Sequence, residues 1–211
     1  QTEAFFCAAD ETLFGGEAGG GKSDLLLGLG LARHQRALIL RRVNKDVGDL
    51  GDRLVEILGS AAGYNSQTHT HRAGERLIEL RGCEHEKDKL RFKGRPHDLK
   101  GFDELADFLE SQYLFIIGWT RSTVPGQVCR VVATTNGPTT PEAQWIVRRW
   151  AAWLDPNHPN PAKSGELRWY LTIDGNDVEV DGPGPHDVRG KMVKATSRTF
   201  IRSRLEDNPD L

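Results

Sequence analysis

The sequence predicts an α/β protein with a mostly parallel, doubly wound sheet, helices on both faces and a small β-rich appendage near the C-terminus. Stretches of strand length alternate with stretches of helical periodicity, which is typical of a parallel sheet covered on both faces. The length of 211 residues suits one such domain. The glycine-rich segment 13–24 also lies between the first predicted strand and the first predicted helix. These three observations define the expected fold class.

Strands are expected where apolar, β-prone residues run for a few positions and stop at glycine or polar residues. Segments 76–82 and 88–94 are expected to pair as one hairpin, and segment 167–180 is expected to fold as a second hairpin turning at 174–176. In chain order, the predicted strands occupy 11–14, 36–42, 76–82, 88–94, 98–104, 127–136, the two arms of 167–180, and 197–205.

Helices are expected at four places where apolar residues recur at helical spacing: 22–34, 44–59, 104–122 and 141–154. Gly28 and Gly30 weaken the first helix. Gly59 is a suitable C-cap for the second, and Pro141 stands at the favoured first position of the last.

The expected organisation is a core followed by smaller elements. Residues 1–154 are expected to form the core, 155–196 an appended, lid-like loop and hairpin, and 197–211 a closing strand with the start of a linker. Because the chain begins abruptly at Gln1 and stops at "EDNPDL", we expect it to be a piece of something longer.

Composition excludes several classes of protein. The chain is 37% hydrophobic, 27% charged and carries a net charge of −2, so a nucleic-acid partner would have to meet a local basic patch. Cys7, Cys83 and Cys129 lie far apart without C-x-x-C spacing, which argues against a disulfide framework or a zinc site and fits a reducing cytosol. No apolar run approaches the ~20 residues that cross a bilayer, and no signal peptide is visible.

The glycine-rich segment fits the phosphate-loop pattern G-x(4)-G-K-[ST] from Gly16 to Ser23, with a strand before it and a helix opening at Lys22. Glycine has no Cβ, so successive backbone N–H groups in such a loop can converge on phosphate oxygens. The N-terminus of the helix adds partial positive charge. Lys22 would neutralise the β- and γ-phosphates, and Ser23 would ligate Mg²⁺. The predicted nucleotide-binding residues are Gly16, Glu17, Ala18, Gly19, Gly20, Gly21, Lys22, Ser23 and Asp24.

A pair of adjacent acids is the candidate for the rest of the metal site. Asp103 would hold the Mg²⁺ shell, and Glu104 would polarise the attacking water, at the end of a strand that Lys100 and Gly101 interrupt. The alternative is that both acids only cap the following helix, where acids are favoured.

Polar residues also end the strongest strand, in "VVATTN". In a doubly wound sheet ligands sit at the carboxyl ends of strands, so Thr134, Thr135 and Asn136 are candidates for sensing the γ-phosphate. Ordinary turn chemistry before Gly137-Pro138 is the alternative.

The segments "LFGGEAGGGKSDLLL", "ALILRR", "GFDELADFLESQYLFIIGWTRS", "RVVATTNGP" and "SRTFIRSRLEDNPDL" resemble, in order along nearly the whole chain, the ATPase domain of the large terminase subunit of tailed bacteriophages. This resemblance implies a RecA-like (ASCE) P-loop NTPase that hydrolyses ATP with Mg²⁺ and translocates double-stranded DNA into a procapsid. It further implies a homo-oligomeric ring, portal protein and small terminase subunit as partners, and a location in the host cytoplasm without a membrane. The family's nuclease domain would begin beyond Leu211.

By the same resemblance, Lys22 and Ser23 match the Walker A positions, Asp103 and Glu104 the Walker B acids, and 134–136 the coupling motif. Gln1 lies where a glutamine that reads the adenine edge would sit.

An arginine that reaches a neighbour's γ-phosphate is implied as well. Glu17 and Ala18 replace the arginine that some terminases carry in the loop, and Arg95 is the first choice for the catalytic arginine. Arg91 and Arg121 are alternatives, and a solvated loop arginine is the plain interpretation of Arg95.

Three further features have a plain and a functional interpretation. Arg41 and Arg42 either contact DNA phosphates or are solvated. The tryptophans of "QWIVRRWAAW" (Trp145, Trp150 and Trp153, beside Arg148 and Arg149) either pack in the core, which is the default, or stack on nucleic acid or a neighbouring subunit. "THTHR", with His69 and His71, is expected to be a polar surface loop rather than a metal pair.

Two other classes of function stay open. One is a helicase or repair translocase, which would normally need a second RecA-like domain that this chain lacks. The other is a regulatory or kinase-like nucleotide-binding domain that performs no mechanical work.

Overall fold

A computed structural model describes residues 1–17, 19, 21–137 and 140–203. The strands are β1 (Glu11–Gly16), β2 (Arg36–Arg41), β3 (Tyr64–Asn65), β4 (Thr70–Ala73), β5 (Arg76–Gly82), β6 (Leu99–Phe102), β7 (Arg130–Thr135), β8 (Arg168–Ile173), β9 (Asn176–Val180), β10 (His186–Val188), β11 (Lys191–Val193) and β12 (Thr196–Ser203). The α-helices are α1 (Thr2–Phe6), α2 (Lys22–Ala32), α3 (Val47–Leu58), α4 (Glu110–Ile117), α5 (Gln144–Arg149) and α6 (Ala151–Leu154). Short 3₁₀ helices occupy Asn44–Asp46, Glu86–Phe92, Leu105–Asp107 and Pro141–Ala143.

The main sheet has ten strands in the order β3-β4-β5-β2-β6-β7-β1-β12-β8-β9. Its central strands, from β5 to β12 in that order, are mutually parallel, and the strands at both edges are antiparallel. The predicted α/β class with a mostly parallel sheet is confirmed. Because parallel strands share one direction, the carboxyl ends of β2, β6, β7 and β1 lie side by side at the same end of the strands.

Helices cover both faces of this sheet, as predicted. Apolar residues of α2 and α3 pack with Ile39, Ile78 and Val132 on one face. On the other face, α4, α5 and the residues after them pack with Leu38 and Phe102. Two apolar layers therefore hold the strands in place from both sides.

The strand predicted at 88–94 is wrong, and so is the hairpin expected around 82–87. That stretch is the 3₁₀ helix Glu86–Phe92, and the Asp88 carboxylate accepts a hydrogen bond of 2.8 Å from the His85 N–H at its start. The antiparallel partner of β5 is instead β4. This strand includes most of the segment "THTHR", 68–72, which was expected to be a polar surface loop. Gly74, with φ 60°, allows the tight turn between these strands.

The long helix predicted over 104–122 is shorter than expected. Glu104 has left-handed backbone angles, a 3₁₀ turn follows, and α4 begins only at Glu110. The helix predicted over 141–154 is likewise divided at Trp150, whose ψ of 36° interrupts the helical path between α5 and α6.

The hairpin of β8 and β9 turns where predicted and continues the main sheet, because β8 pairs with β12. The strands β10 and β11 form a separate two-stranded ribbon. The end of the expected closing strand and the linker, 204–211, lie outside the described residues. Among the helices of the described chain, none combines the length and the apolar character that a bilayer crossing requires.

Candidate active site

The site lies at the carboxyl ends of the four neighbouring strands β2, β6, β7 and β1. A cavity of about 570 Å³ opens there. It is lined by Gly19, Gly21, Lys22, Ser23, Asp24, Arg41, Asp49, Leu50, Arg53, Glu104 and Asn136. The structure thus brings together the glycine-rich loop, Glu104 and one residue of the "ATTN" strand end, as the sequence predicts.

The glycine-rich loop needs glycine at two positions. A Cβ on Gly16 would lie 2.2 Å from the Ser203 carbonyl oxygen, and the φ of Gly16 is 146°. Gly21 has φ 63° and lies against the side-chain amide of Gln1, where a Cβ would not fit. The chain can therefore pass close to its neighbours and enter α2 directly at Lys22, so the helix N-terminus faces the cavity. Two predicted binding residues, Ala18 and Gly20, lie outside the described residues.

Lys22 is buried, with an exposed fraction of only 7% for the whole residue. Its ammonium donates a hydrogen bond to the backbone carbonyl of Glu17 within the same loop. Burial lowers the pKa of Lys22, while the nearby charges of Glu104 and Asp103 oppose that shift. An ammonium at this position, hydrogen-bonded to a carbonyl of its own loop, is a suitable partner for an anion that enters the cavity.

Asp103 follows β6 and is fully buried. Ser23 Oγ donates to both of its carboxylate oxygens, at 3.2 and 3.0 Å, and Thr134 Oγ1 donates to Oδ1 at 3.0 Å. Arg41 Nε donates to Oδ2 at 2.8 Å. Residues from three different elements (α2, β7 and β2) therefore converge on this one carboxylate.

Glu104 stands in a strained backbone conformation, with φ 57° and ψ 61°. A non-glycine residue in the left-handed region costs about 1–3 kcal/mol, and such residues cluster at functional sites. The turn aims the side chain into the cavity, where Asn136 Nδ2 donates to its carboxylate at 3.3 Å. Burial and the adjacent Asp103 charge raise the pKa of Glu104, against the lowering effect of Lys22.

The donor set suits a hard divalent cation. Among the described residues, no group of three or more His, Cys, Asp or Glu side chains is placed to hold a metal ion. Mg²⁺ is usually bound by only one or two protein oxygens together with waters and substrate phosphates. The Ser23 hydroxyl and the Asp103 carboxylate, 3.0 Å apart, fit that requirement.

Arg95, the first choice for a catalytic arginine, does not line this cavity. It precedes β6, and its guanidinium pairs with Glu79, in the middle of β5, at 2.6 Å. The alternatives are engaged elsewhere as well: Arg91 pairs with Asp88 at 3.1 Å, and Arg121 stacks over the Trp119 ring at 5.1 Å. Within one chain, none of these three arginines meets Glu104.

Arg41 is the site residue for which sequence reasoning gave another role, as a DNA-contacting or solvated arginine. It lines the cavity and contacts Asp103. Asp49, Leu50 and Arg53, from α3, line the same cavity and were not predicted. An arginine at the end of a strand is a weak sequence signal. Its role becomes visible only because β2 lies beside β6, which brings Arg41 to Asp103.

The tryptophan-rich helix belongs to the core, as the default interpretation predicts. Trp145 and Trp150 are buried, and their indole N–H groups each donate at 3.1 Å, to the carbonyls of Phe108 and Thr199. Arg149, whose side chain is 12% exposed, pairs with Glu11 at 2.6 Å rather than facing outward.

No protein-family model matches the chain, and no curated protein matches it. The fold defines its class as an α/β protein with a ten-stranded, mostly parallel sheet flanked by helices, which is compatible with a RecA-like fold.

Proposed function

We propose that the chain is a P-loop ATPase domain that hydrolyses ATP with Mg²⁺. The observation that carries this proposal is that Lys22, Ser23 and Glu104 line one cavity at the carboxyl ends of neighbouring strands, with Ser23 hydrogen-bonded to the buried Asp103. A flexible surface turn with a solvated lysine would not bury that lysine to 7% exposure or bond its neighbour to a buried acid.

In the proposed reaction the loop N–H groups, the N-terminus of α2 and the Lys22 ammonium hold the triphosphate. Ser23 and Asp103 would hold Mg²⁺, which when bound supplies positive charge to the phosphate oxygens. Glu104 accepts a proton from the attacking water at its carboxylate, and its raised pKa makes it a stronger base than an exposed glutamate. Asn136 orients that carboxylate through its amide.

Two substitutions test the ATPase proposal. Glu104→Gln removes the base while leaving the loop and Lys22 in place, so ATP binding persists and kcat falls by about 100-fold or more. Lys22→Ala removes the ammonium and abolishes ATP binding. Titration with a fluorescent ATP analogue and a phosphate-release assay measure the two properties.

The matched control for Glu104→Gln is Glu110→Gln. Glu110 is an exposed glutamate at the start of α4, paired with Arg148 at 3.2 Å and outside the cavity. This variant should hydrolyse ATP at the rate of the unsubstituted chain. ATP hydrolysis retained in Glu104→Gln would refute the assignment of the base.

The finer proposal, that hydrolysis drives double-stranded DNA into a procapsid as in a large terminase, is supported by the resemblance of the ordered sequence segments. In that setting Arg95, which lies outside the cavity of its own chain, would act on the site of a neighbouring subunit. Double-stranded DNA should then stimulate phosphate release in the same assay. Transfer of phosphate to a small molecule without any effect of DNA would favour the kinase-like alternative.

A further inference from the structure

Arg41 is held at the candidate active site by three groups. Its Nε donates to Asp103 at 2.8 Å, and its Nη1 donates to the Asp46 carbonyl at 3.2 Å and lies 3.5 Å from the Asp49 carboxylate. The side chain is 22% exposed and lines the same cavity as Lys22. Its guanidinium therefore stands between the buried acid and the open space of the cavity.

The contact with Asp103 conflicts with a metal ion at the same acid. Arg41 Nε and Ser23 Oγ both donate to Oδ2 of Asp103, and Thr134 Oγ1 already donates to Oδ1. A carboxylate offers about four acceptor positions, and a guanidinium and a divalent cation at one buried carboxylate repel each other. Either Arg41 or a metal ion can thus neutralise the Asp103 carboxylate. Binding both at once costs free energy, because the two positive charges repel each other.

We propose that Arg41 exchanges between two anionic partners in this cavity: it neutralises Asp103 when no metal ion is bound and turns to the phosphates of a bound nucleotide when Mg²⁺ takes over the acid. Arginine suits both positions, since its fork matches carboxylate and phosphate oxygens alike. The chain then carries its own phosphate-contacting arginine at the end of β2. The glycine-rich loop does not supply one, because its residue 17 is a glutamate. This inference rests on the proposed nucleotide site.

Substitution of Arg41 should change two binding constants in opposite directions. In Arg41→Gln, ATP binding at saturating Mg²⁺ weakens about tenfold, and weakens less in excess chelator, because the charge-assisted contact to phosphate that forms only when Mg²⁺ holds Asp103 is lost. The Mg²⁺ concentration that gives half of the Mg²⁺-dependent gain in ATP affinity falls several-fold, because no cation competes at Asp103. Both constants come from equilibrium titrations of the 211-residue chain with a fluorescent ATP analogue, without reference to turnover.

A second variant separates charge from shape. Arg41→Lys keeps the positive charge and loses the planar fork, so its Mg²⁺ midpoint shifts less than that of Arg41→Gln. Arg72→Gln, which alters an exposed arginine on β4 far from the cavity, is the control and should change neither constant. Ser23 and Thr134 continue to satisfy Asp103 in both Arg41 variants.

The outcomes distinguish this inference from the function on which it rests. Equal weakening with and without Mg²⁺ in Arg41→Gln, or an unchanged Mg²⁺ midpoint, would show that Arg41 is only a structural partner of Asp103 and would overturn the exchange alone. Two results would refute both the proposed nucleotide site and the exchange. One is that the unsubstituted chain does not bind ATP with Mg²⁺ or in chelator, and the other is that Lys22→Ala binds ATP as tightly as the unsubstituted chain.

Discussion

Asp103 and Glu104 are neighbours in the sequence with different electrostatic surroundings. Asp103 is fully buried and accepts hydrogen bonds from Ser23, Thr134 and Arg41. Glu104 has one weak amide contact, and burial together with the Asp103 charge raises its pKa. The two acids are thereby suited to different tasks: Asp103 anchors groups from three elements, and Glu104 is placed to accept a proton.

A pH dependence of ATP hydrolysis follows from this contrast. A general base acts only as the carboxylate, so kcat should fall as the pH drops through the raised pKa of Glu104, above the range of an ordinary glutamate. The exposed Asp107 contributes to that rise. Asp107→Asn should therefore shift the acid limb of the pH–rate profile to lower pH. An acid limb that does not move, or moves to higher pH, would contradict the role of Glu104.

At the scale of one element, β6 carries polar and small residues through an apolar sheet. Lys100 is fully buried, and its Nζ lies 2.7 Å from His97 Nδ1, while His97 Nε2 lies 2.7 Å from the Glu79 carboxylate. A Cβ on Gly101 would lie 3.2 Å from Ile39 and 3.3 Å from Leu26, so glycine lets α2 pack closely on the strand. The two residues that interrupt the apolar pattern thus have separate structural reasons.

The buried lysine should make stability depend on pH. Burial, and next the Arg95 charge, lower the pKa of Lys100 from 10.5 to about 7. Between these values the unfolded chain binds more protons than the folded chain, so the contribution of Lys100 to the free energy of unfolding rises with pH, by at most about 1.4 kcal/mol per pH unit.

Lys100→Met tests this dependence by removing the titrating group. Urea unfolding of both chains is measured at several pH values from 7 to 9. As the pH rises, the free energy of unfolding of the original chain should increase relative to that of Lys100→Met. The same difference for Lys163→Met, at an exposed loop lysine, should stay constant. A constant difference for Lys100→Met would show that this lysine stays charged when buried.

At the scale of the whole molecule, one buried acid joins three distant parts of the chain. Glu11 begins β1 and binds Arg149 of α5 at 2.6 and 2.9 Å and Arg198 of β12 at 3.1 Å. Both arginines also contact Asp177 of the terminal hairpin, at 3.0 and 2.7 Å. The centre of the sheet, the helical face and the edge hairpin are thereby tied by a single network of charges.

Glu11→Gln should destabilise the fold by about 3–5 kcal/mol, since it leaves buried arginines without their anion. Burial alone would raise the pKa of Glu11, but the charges of Arg198 and Arg149 hold it at about 2. The stabilisation is therefore complete above the ordinary value of 4.5 and is lost as the pH falls toward about 2.

Urea unfolding of both chains at pH 7 and in acid checks this prediction. The gap between the original chain and Glu11→Gln should narrow as the pH falls, whereas Glu142→Gln, at an exposed glutamate, should unfold like the original chain throughout. A loss below about 1 kcal/mol at pH 7 would mean that the network contributes no more than an exposed ion pair.

The parts of the fold that were predicted correctly depend on local sequence. Alternating apolar periods give the sheet and its helices, and the predicted C-cap Gly59 has φ 64° at the end of α3. The strand predicted at 88–94 failed because its apolar residues, Leu90 and Phe92, alternate as they would in a strand, yet Asp88 caps a 3₁₀ turn instead. Short amphipathic stretches of this kind are ambiguous without knowledge of the pairing partner.

By itself the sequence determined the alternating order of elements, the glycine-rich loop before α2, the adjacent acids after β6 and the polar end of β7, because each depends on neighbours within a few residues. Only the tertiary structure decided that β2 lies beside β6, so that Arg41 reaches Asp103, and that Arg95 pairs with Glu79 of β5 outside the cavity. The physical reason is that strand order is set by hydrogen bonds and apolar packing between segments far apart in the chain, and no local pattern specifies which strands become neighbours.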